Sequence, residues 1–408
     1  MEEKKNELTG LQIHYAAIQS VYWIIQAIFM VFVVPLLRKR GFDNGQIGIL
    51  LAVRSFTCIF FQPLVASFAD KHVKTIPLKC IIAVIVLISI ITTWLFMIID
   101  FEFWGSCIIF GFLGASITAL SPLYNSLAMQ YLGIGKDLKY SIARGCGSIA
   151  YAIACIALGV IVDNLGVETT LLFQFAMLIL SFCIVITFKT CSVESKKKNT
   201  IQKPHSTWYV LSHNKSYTIF LVASVMLFTG NNMTTSFLVD VVDKLGGTNT
   251  DVGYCQFVLA AVEFPIALCF MQLKKKIGTH GIMAICATFI WIKIIGILLA
   301  PTIPILIAVH AFQMVGAGLY WSGSVYYVNE HVDAEDRIKG QSLMAIFSTG
   351  VGSGIGSLIS GWISKYYGID QVILAGAVCA GIGVILMFTA LRSSRIAENA
   401  YQLVTISK

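Results

Sequence analysis

The sequence predicts an all-α polytopic membrane protein, and three observations predict it. Hydrophobic residues make up 57% of the 408 residues and charged residues 12%, against about 45–50% and about 25% in an ordinary soluble protein. Mean hydropathy is +0.80. The apolar residues gather into twelve stretches, near 12–36, 45–68, 76–99, 104–131, 138–163, 168–189, 216–241, 250–273, 280–300, 303–328, 338–364 and 369–391, each close to or above the roughly 20 residues that a membrane helix needs. The runs lack the period-2 alternation of barrel strands, so they read as helices. The 8 prolines and the aperiodic glycines exclude disordered and collagen-like classes. The 11 cysteines, among them Cys58, Cys107, Cys183 and Cys379, stand singly in apolar runs and read as small hydrophobes, neither bridges nor metal ligands. No cofactor motif is present. The first stretch is too long for a cleavable signal and follows a polar Met1–Gly10.

Basic residues set the orientation. Of the 29 Lys and Arg, most fall in the segments that an internal N-terminus would place in the cytoplasm, including Lys71, Lys74, Lys79, Lys196–Lys198, Lys274–Lys276 and Arg392. Arg38, Lys39, Arg40, Lys244 and Lys365 fall outside, and Arg54, Arg144 and Lys293 lie within stretches. The bias predicts a multi-pass protein of the cell (plasma) membrane with both termini cytoplasmic. The net charge of +8 then reflects topology and not a nucleic-acid footprint.

Taken in order, stretch 2 opens on Asp43-Asn44-Gly45-Gln46-Ile47-Gly48, carries Pro63 and exits into a basic turn. Stretch 8 opens on Thr248-Asn249-Thr250-Asp251-Val252-Gly253, carries Pro265 and exits likewise. The break at 190–215, with Lys196-Lys197-Lys198 and Lys203-Pro204-His205, divides the chain six plus six. This predicts two repeats, residues 1–189 and 216–408, about a cytoplasmic loop at 190–215. The run Gly350-Val351-Gly352-Ser353-Gly354-Ile355-Gly356 mimics a nucleotide loop but lies inside stretch 11 with no strand before it, so it reads as helix packing. Trp104 and Tyr326, near stretch ends, read as interfacial anchors.

Ionisable groups inside a membrane are functional candidates because they are costly unless paired or watered. Here they are Arg54, Arg144 and Lys293 against one deep carboxylate, Glu263, with His310 beside them. Arg144 and Asn125 each lie about six residues inside the cytoplasmic ends of stretches 5 and 4, hence at one depth. Tyr151, seven residues after Arg144, returns to the same face about 10 Å further along. A guanidinium fork, a carboxamide and an aromatic ring suit a polyhydroxylated ring; the alternatives are a snorkelling Arg and ordinary packing. His310 and Gln313 share a face of stretch 10, which Tyr320 continues. Asn231-Asn232 binds solute or glues helices.

Short motifs carry a resemblance to the major facilitator superfamily that runs through nearly the whole chain. Phe61-Gln62-Pro63-Leu64 with Ala69-Asp70-Lys71 resembles the end of span 2 and its gating loop in that superfamily, though Ala66 replaces the leading Gly and Val73-Lys74 the trailing Gly-Arg. Tyr140-Ser141-Ile142-Ala143-Arg144-Gly145-Cys146-Gly147 resembles the Arg-x-x-Gly signature of the branch that contains lactose permease, nucleoside symporters and the phenylpropionate carrier. Pro122-Leu123-Tyr124-Asn125, Val262-Glu263-Phe264-Pro265, Ile292-Lys293-Ile294 and Val309-His310-Ala311-Phe312-Gln313 follow in order. The resemblance implies two pseudo-symmetric six-helix bundles and a secondary transporter, not an enzyme. It implies substrate binding by Arg144, Asn125, Tyr151, His310, Gln313 and Lys293, to which their placement in the spans adds Asn232 and Tyr320, with proton coupling by Glu263 or His310 and gating by Asp70 and Arg54. Asn125 and Tyr151 stand where lactose permease has Glu and Trp, and Gln313 where it has a titrating carboxylate, so galactoside specificity does not carry over. The expected cargo is a sugar or oligosaccharide in symport with H+, with an organic-anion or nucleoside carrier (proton-coupled or uniport) as the alternative and a monomer in the lipid bilayer as the state. A membrane enzyme or receptor is a third class, against which stands the lack of any domain-sized loop or catalytic grouping.

Overall fold

The computed structural model describes residues 2–72, 75–133, 138–189, 205–333 and 335–406. Every regular element among them is helical: α1 (Glu2–Val31), α2 (Val33–Lys39), α3 (Asn44–Lys71), α4 (Leu78–Ile98), α5 (Phe103–Gly133), α6 (Tyr140–Leu165), α7 (Thr169–Thr187), α8 (Thr207–His213), α9 (Lys215–Ser236), α10 (Leu238–Lys244), α11 (Asn249–Leu299), α12 (Ile303–His310), α13 (Ala317–His331), α14 (Arg337–Ala345), α15 (Ser353–Tyr367) and α16 (Ile369–Ile406). A 3₁₀ turn at Ala311–Met314 joins α12 to α13, and a π segment at Ile346–Gly352 joins α14 to α15. Ten spans among the described residues are long and apolar enough to cross a membrane. They do not include α9, which ends in the polar run Thr229-Gly230-Asn231-Asn232-Met233-Thr234-Thr235-Ser236, or the first limb of α11, where the side chains at 264, 267 and 268 lie outside the description. These two occupy the places of predicted stretches 7 and 8.

The starts of α3 and α11 look alike in sequence because each is an N-cap. The Asp43 carboxylate accepts from Gln46 N at 3.0 Å while Asp43 N donates to Gln46 Oε1 at 3.1 Å, a reciprocal capping box. Thr248 N donates to Asp251 Oδ2 at 2.9 Å. Within α11, Gly278 sits at φ 68°, a left-handed conformation open to glycine, and it divides the helix into the two limbs that the sequence reads as stretches 8 and 9.

The chain forms two compact units, Met1–Lys197 with Leu238–Ala261, and Lys198–Phe237 with Val262–Lys408. Division by chain order, as the sequence predicts, differs from this in one segment: 238–261 packs with the first unit. There Arg38 bonds both Asp240 carboxylate oxygens at 2.8 and 3.0 Å, and Asp163 accepts from the backbone and side chains of Asn249 and Thr250 at 2.6–3.0 Å. In place of the predicted loop at 190–215, the described residues show its second part, where α8 leads into α9; residues 190–204 lie outside the description.

Between helices in lipid there is no hydrophobic driving force, so close packing of small residues must hold them. In the first unit α1 packs on α6, and α3 on α5. The α6 surface is buried at Ala143, Gly145, Gly147, Ala152, Ala154 and Gly159. In the second, α9 packs on α15 and α16. A Cβ at Gly230 would stand 2.3 Å from the Gly376 carbonyl, and one at Gly356 2.7 Å from the Thr229 carbonyl. The Gly350–Gly356 run is thus helix packing, as its sequence context predicts. Large apolar side chains such as Ile153, Leu172, Ile385 and Phe388 point outward and exposed, a surface suited to lipid and a liability in water.

Candidate functional site

Each unit holds, among its described residues, a polar cluster between apolar helices that contains sequence-predicted site residues. In the first unit it is built on α1 and α6. The Arg144 guanidinium lies 3.9 Å from the centroid of the Trp23 ring and donates to Ser148 Oγ at 2.7 Å. Tyr151 meets the same indole edge-on at 6.1 Å, and its hydroxyl donates to Gln256 Oε1 at 3.3 Å. Asn125 Oδ1 accepts from Gln19 Nε2 at 3.4 Å, and that amide also donates to the Tyr15 hydroxyl at 2.9 Å. Trp23 reaches α6 because Gly147 leaves room: a Cβ there would stand 2.5 Å from Trp23 Cδ1. Arg144, Asn125 and Tyr151 are therefore brought into one neighbourhood, linked by two α1 side chains, Trp23 and Gln19, that sequence reasoning missed. A signal existed. Tyr15, Gln19, Tyr22 and Gln26 repeat at helical spacing along one face of an otherwise apolar span.

In the second unit the cluster centres on Lys293, 1% exposed. Its ammonium donates to Asn231 Oδ1 at 2.6 Å and to Gln313 Oε1 at 2.7 Å. Gln313 Nε2 donates onward to Glu263 Oε1 at 3.2 Å, so one amide stands between cation and carboxylate. Gln313 reaches Lys293 from the 3₁₀ turn at Ala311–Met314, a departure from α geometry of the kind common where a helix serves a site.

The other predicted residues divide. His310 is buried, and its Nδ1 donates to the Leu306 carbonyl at 2.8 Å one turn back on α12. Asn232 Oδ1 accepts from Ser357 and Ser236 at 3.0 and 3.1 Å, joining α9 to α15, while its neighbour Asn231 serves Lys293. Tyr320 is fully buried, spends its hydroxyl on Ser224 at 2.7 Å and packs edge-on against Phe228. Arg54 donates to the Phe29 carbonyl at 3.1 Å and lies 5.1 Å from that residue's ring centroid. Asp70 is in the last turn of α3, and its side chain lies outside the described residues. Sixteen residues separate Arg54 from Asp70 on α3, about 24 Å of helix.

Polar side chains held between the apolar helices of an all-α polytopic chain are the arrangement that membrane transporters use for their solute sites. The profile of the MFS_1-like family matches residues 13–375, and the chain belongs to that family of major-facilitator-type transporters. It is 23% identical over 381 residues to the uncharacterized transporter YwbF of Bacillus subtilis (strain 168), covering 91% of this chain and 93% of that one. It is 20% identical over 385 residues to the maltose permease of Geobacillus stearothermophilus, covering 92% and 93%. Its fold is similar to that of the nucleoside transporter NupG, with a TM-score of 0.78 at 16% identity over 94% of this chain and 98% of that one. The protein is a multi-pass membrane transporter of a small-molecule solute. Its family and relatives are transporters, not enzymes.

Proposed function

We propose that the protein carries a sugar or oligosaccharide in symport with H+ across the cell membrane by alternating access, as a monomer with both termini cytoplasmic. The observation that carries the reading is Arg144 held over Trp23 with Tyr151 at the indole edge. Planar donors beside aromatic faces match the paired hydroxyls and apolar face of a pyranose, and the likeness to a maltose permease points the same way. Glu263, joined to Lys293 through Gln313, is the proposed proton carrier. Uptake of labelled maltose and of monosaccharides into proteoliposomes, with and without an inward proton gradient, tests it. Accumulation that follows the gradient is expected; sugar-independent behaviour sinks the reading.

One observation favours a second cargo. The acceptors on the buried Lys293 ammonium are neutral amide oxygens, and a cation so held suits an organic anion. Competition by carboxylates in the same vesicles, with none by sugars, decides for that alternative.

A further inference from the structure

On α1, positions 15, 19, 22, 23 and 26 fall within about 100° of arc at 3.6 residues per turn, and together they form a face toward α5 and α6. Most polar atoms of that face have partners: Tyr15 bonds the Tyr124 carbonyl at 3.1 Å, Gln19 bonds Tyr15 and Asn125, and the Gln26 amide nitrogen bonds the Tyr22 hydroxyl. Two do not. Trp23 Nε1 and Gln26 Oε1 are buried and make no hydrogen bond among the described residues. Gln26 as a whole is 4% exposed. Whichever way its amide is turned, one polar atom remains without a partner.

Orphaned buried donors and acceptors are rare because each carries an unrecovered desolvation cost. With the Gln26 amide bonded to Tyr22 through its nitrogen, the two orphans are one of each kind, three residues apart on neighbouring strips of one face, and the Trp23 ring is the one that carries Arg144. An N–H donor and a C=O acceptor on one helix face are together the complement of a hydroxyl, which accepts one bond and donates another. The Arg144 guanidinium over the Trp23 ring supplies donors for a second, adjacent hydroxyl.

We infer that Trp23 Nε1–H and Gln26 Oε1 form a hydroxyl-recognition pair on α1 that, with Arg144, reads a vicinal diol on a ring. The inference rests on the transport reading above and sharpens it by naming the group recognised. Two sources carry that group, a pyranose and the ribose of a nucleoside, and the test separates them.

Binding to the purified protein is measured by isothermal titration for methyl glucoside, maltose and uridine, and for their monodeoxy analogues. Trp23→Phe keeps the ring under Arg144 and removes only the N–H; Gln26→Leu removes only the amide. Each is expected to weaken binding of the cognate parent about tenfold, and to leave unchanged the affinity for the one deoxy analogue that lacks the paired hydroxyl. That coupling is the signature of a direct bond, because a purely structural role would weaken all ligands alike. A wild-type deoxy series with no position costing affinity overturns the inference without any variant. Parent affinity unchanged in folded variants, or weakened equally for parent and every analogue, overturns it too, and leaves the sugar reading standing. Binding of uridine alone, with loss on 2′- or 3′-deoxygenation coupled to Trp23 and Gln26, upholds the inference and sinks the sugar reading. No binding by either class sinks both.

Discussion

Arg144 shows how much one residue depends on its neighbours. A guanidinium can stack on Trp23 and bond Ser148 at once because it is planar and forked. An ammonium is a point charge that can meet a ring face or a hydroxyl but cannot lay a planar fork along the one while bonding the other. Arg144→Lys is expected to abolish uptake at normal expression; transport at the wild-type rate by the Lys variant removes Arg144 from the site. Gly147 sets the position of the same ring. Adding one methyl there meets Trp23 Cδ1 at 2.5 Å and the Gln19 carbonyl at 3.2 Å, so Gly147→Ala must displace the indole that carries the guanidinium. We expect a folded protein whose apparent affinity for solute falls at least tenfold, checked by binding and size-exclusion profiles on one preparation. Unchanged affinity in Gly147→Ala would mean that the indole's position is immaterial to binding. Of these residues, the sequence marks Arg144 through its charge in an apolar run. It does not mark Trp23, since an aromatic in a span reads equally as packing, and it marks Gly147 only through the resemblance, as the glycine of the Arg-x-x-Gly signature.

At the scale of elements, the helices follow from apolar run length and their starts from capping chemistry, so most of the fold is legible in the chain. What is not legible is where a helix departs from α. The 3₁₀ turn that carries Gln313 and the π segment before α15 leave no pattern of their own in an apolar stretch. Nor can sequence separate Asn231 from Asn232: adjacent amides point about 100° apart on a helix, and only their partners, Lys293 for one and Ser357 for the other, divide their roles. The start of α11 offers a direct test of element energetics. Asp163 caps it from α6 through the backbone N–H groups of Asn249 and Thr250, and loss of such a cap costs about 1 kcal/mol. Gly159 lies under the same turn, where a Cβ would meet the Asn249 carbonyl at 2.6 Å and Thr250 Cα at 2.7 Å. Backbone cannot yield as a side-chain tip can. Gly159→Ala should therefore lower the melting temperature in detergent by more than Asp163→Ala does; the reverse order would show that the cap, not the close approach, fixes the seat of α11 on α6.

Coupling is a property of the whole molecule, since a proton gradient drives a solute only when neither moves without the other. For one proton per neutral solute, a pH difference of one unit supplies about 1.4 kcal/mol, enough for about tenfold accumulation. The second unit holds the groups that could carry out the exchange. Glu263 is bonded through Gln313 to Lys293, so a change in the carboxylate's charge is felt by the ammonium across one amide. Glu263→Gln fixes the neutral form and can keep the bond, because a Gln side chain still offers an Oε1 to Gln313 Nε2. The variant is expected to bind solute and to exchange labelled for unlabelled solute across the membrane at rates near wild type. It should fail to concentrate solute when a pH difference is imposed, with its accumulation ratio at about one where the wild type reaches several-fold. A variant that still concentrates solute like the wild type would move the proton to another group, His310 first, whose buried ring lies three residues before Gln313. A wild type indifferent to the gradient would leave the network as a fixed charge pair in a uniporter or exchanger, and Lys293→Gln would then weaken solute binding without altering its pH dependence.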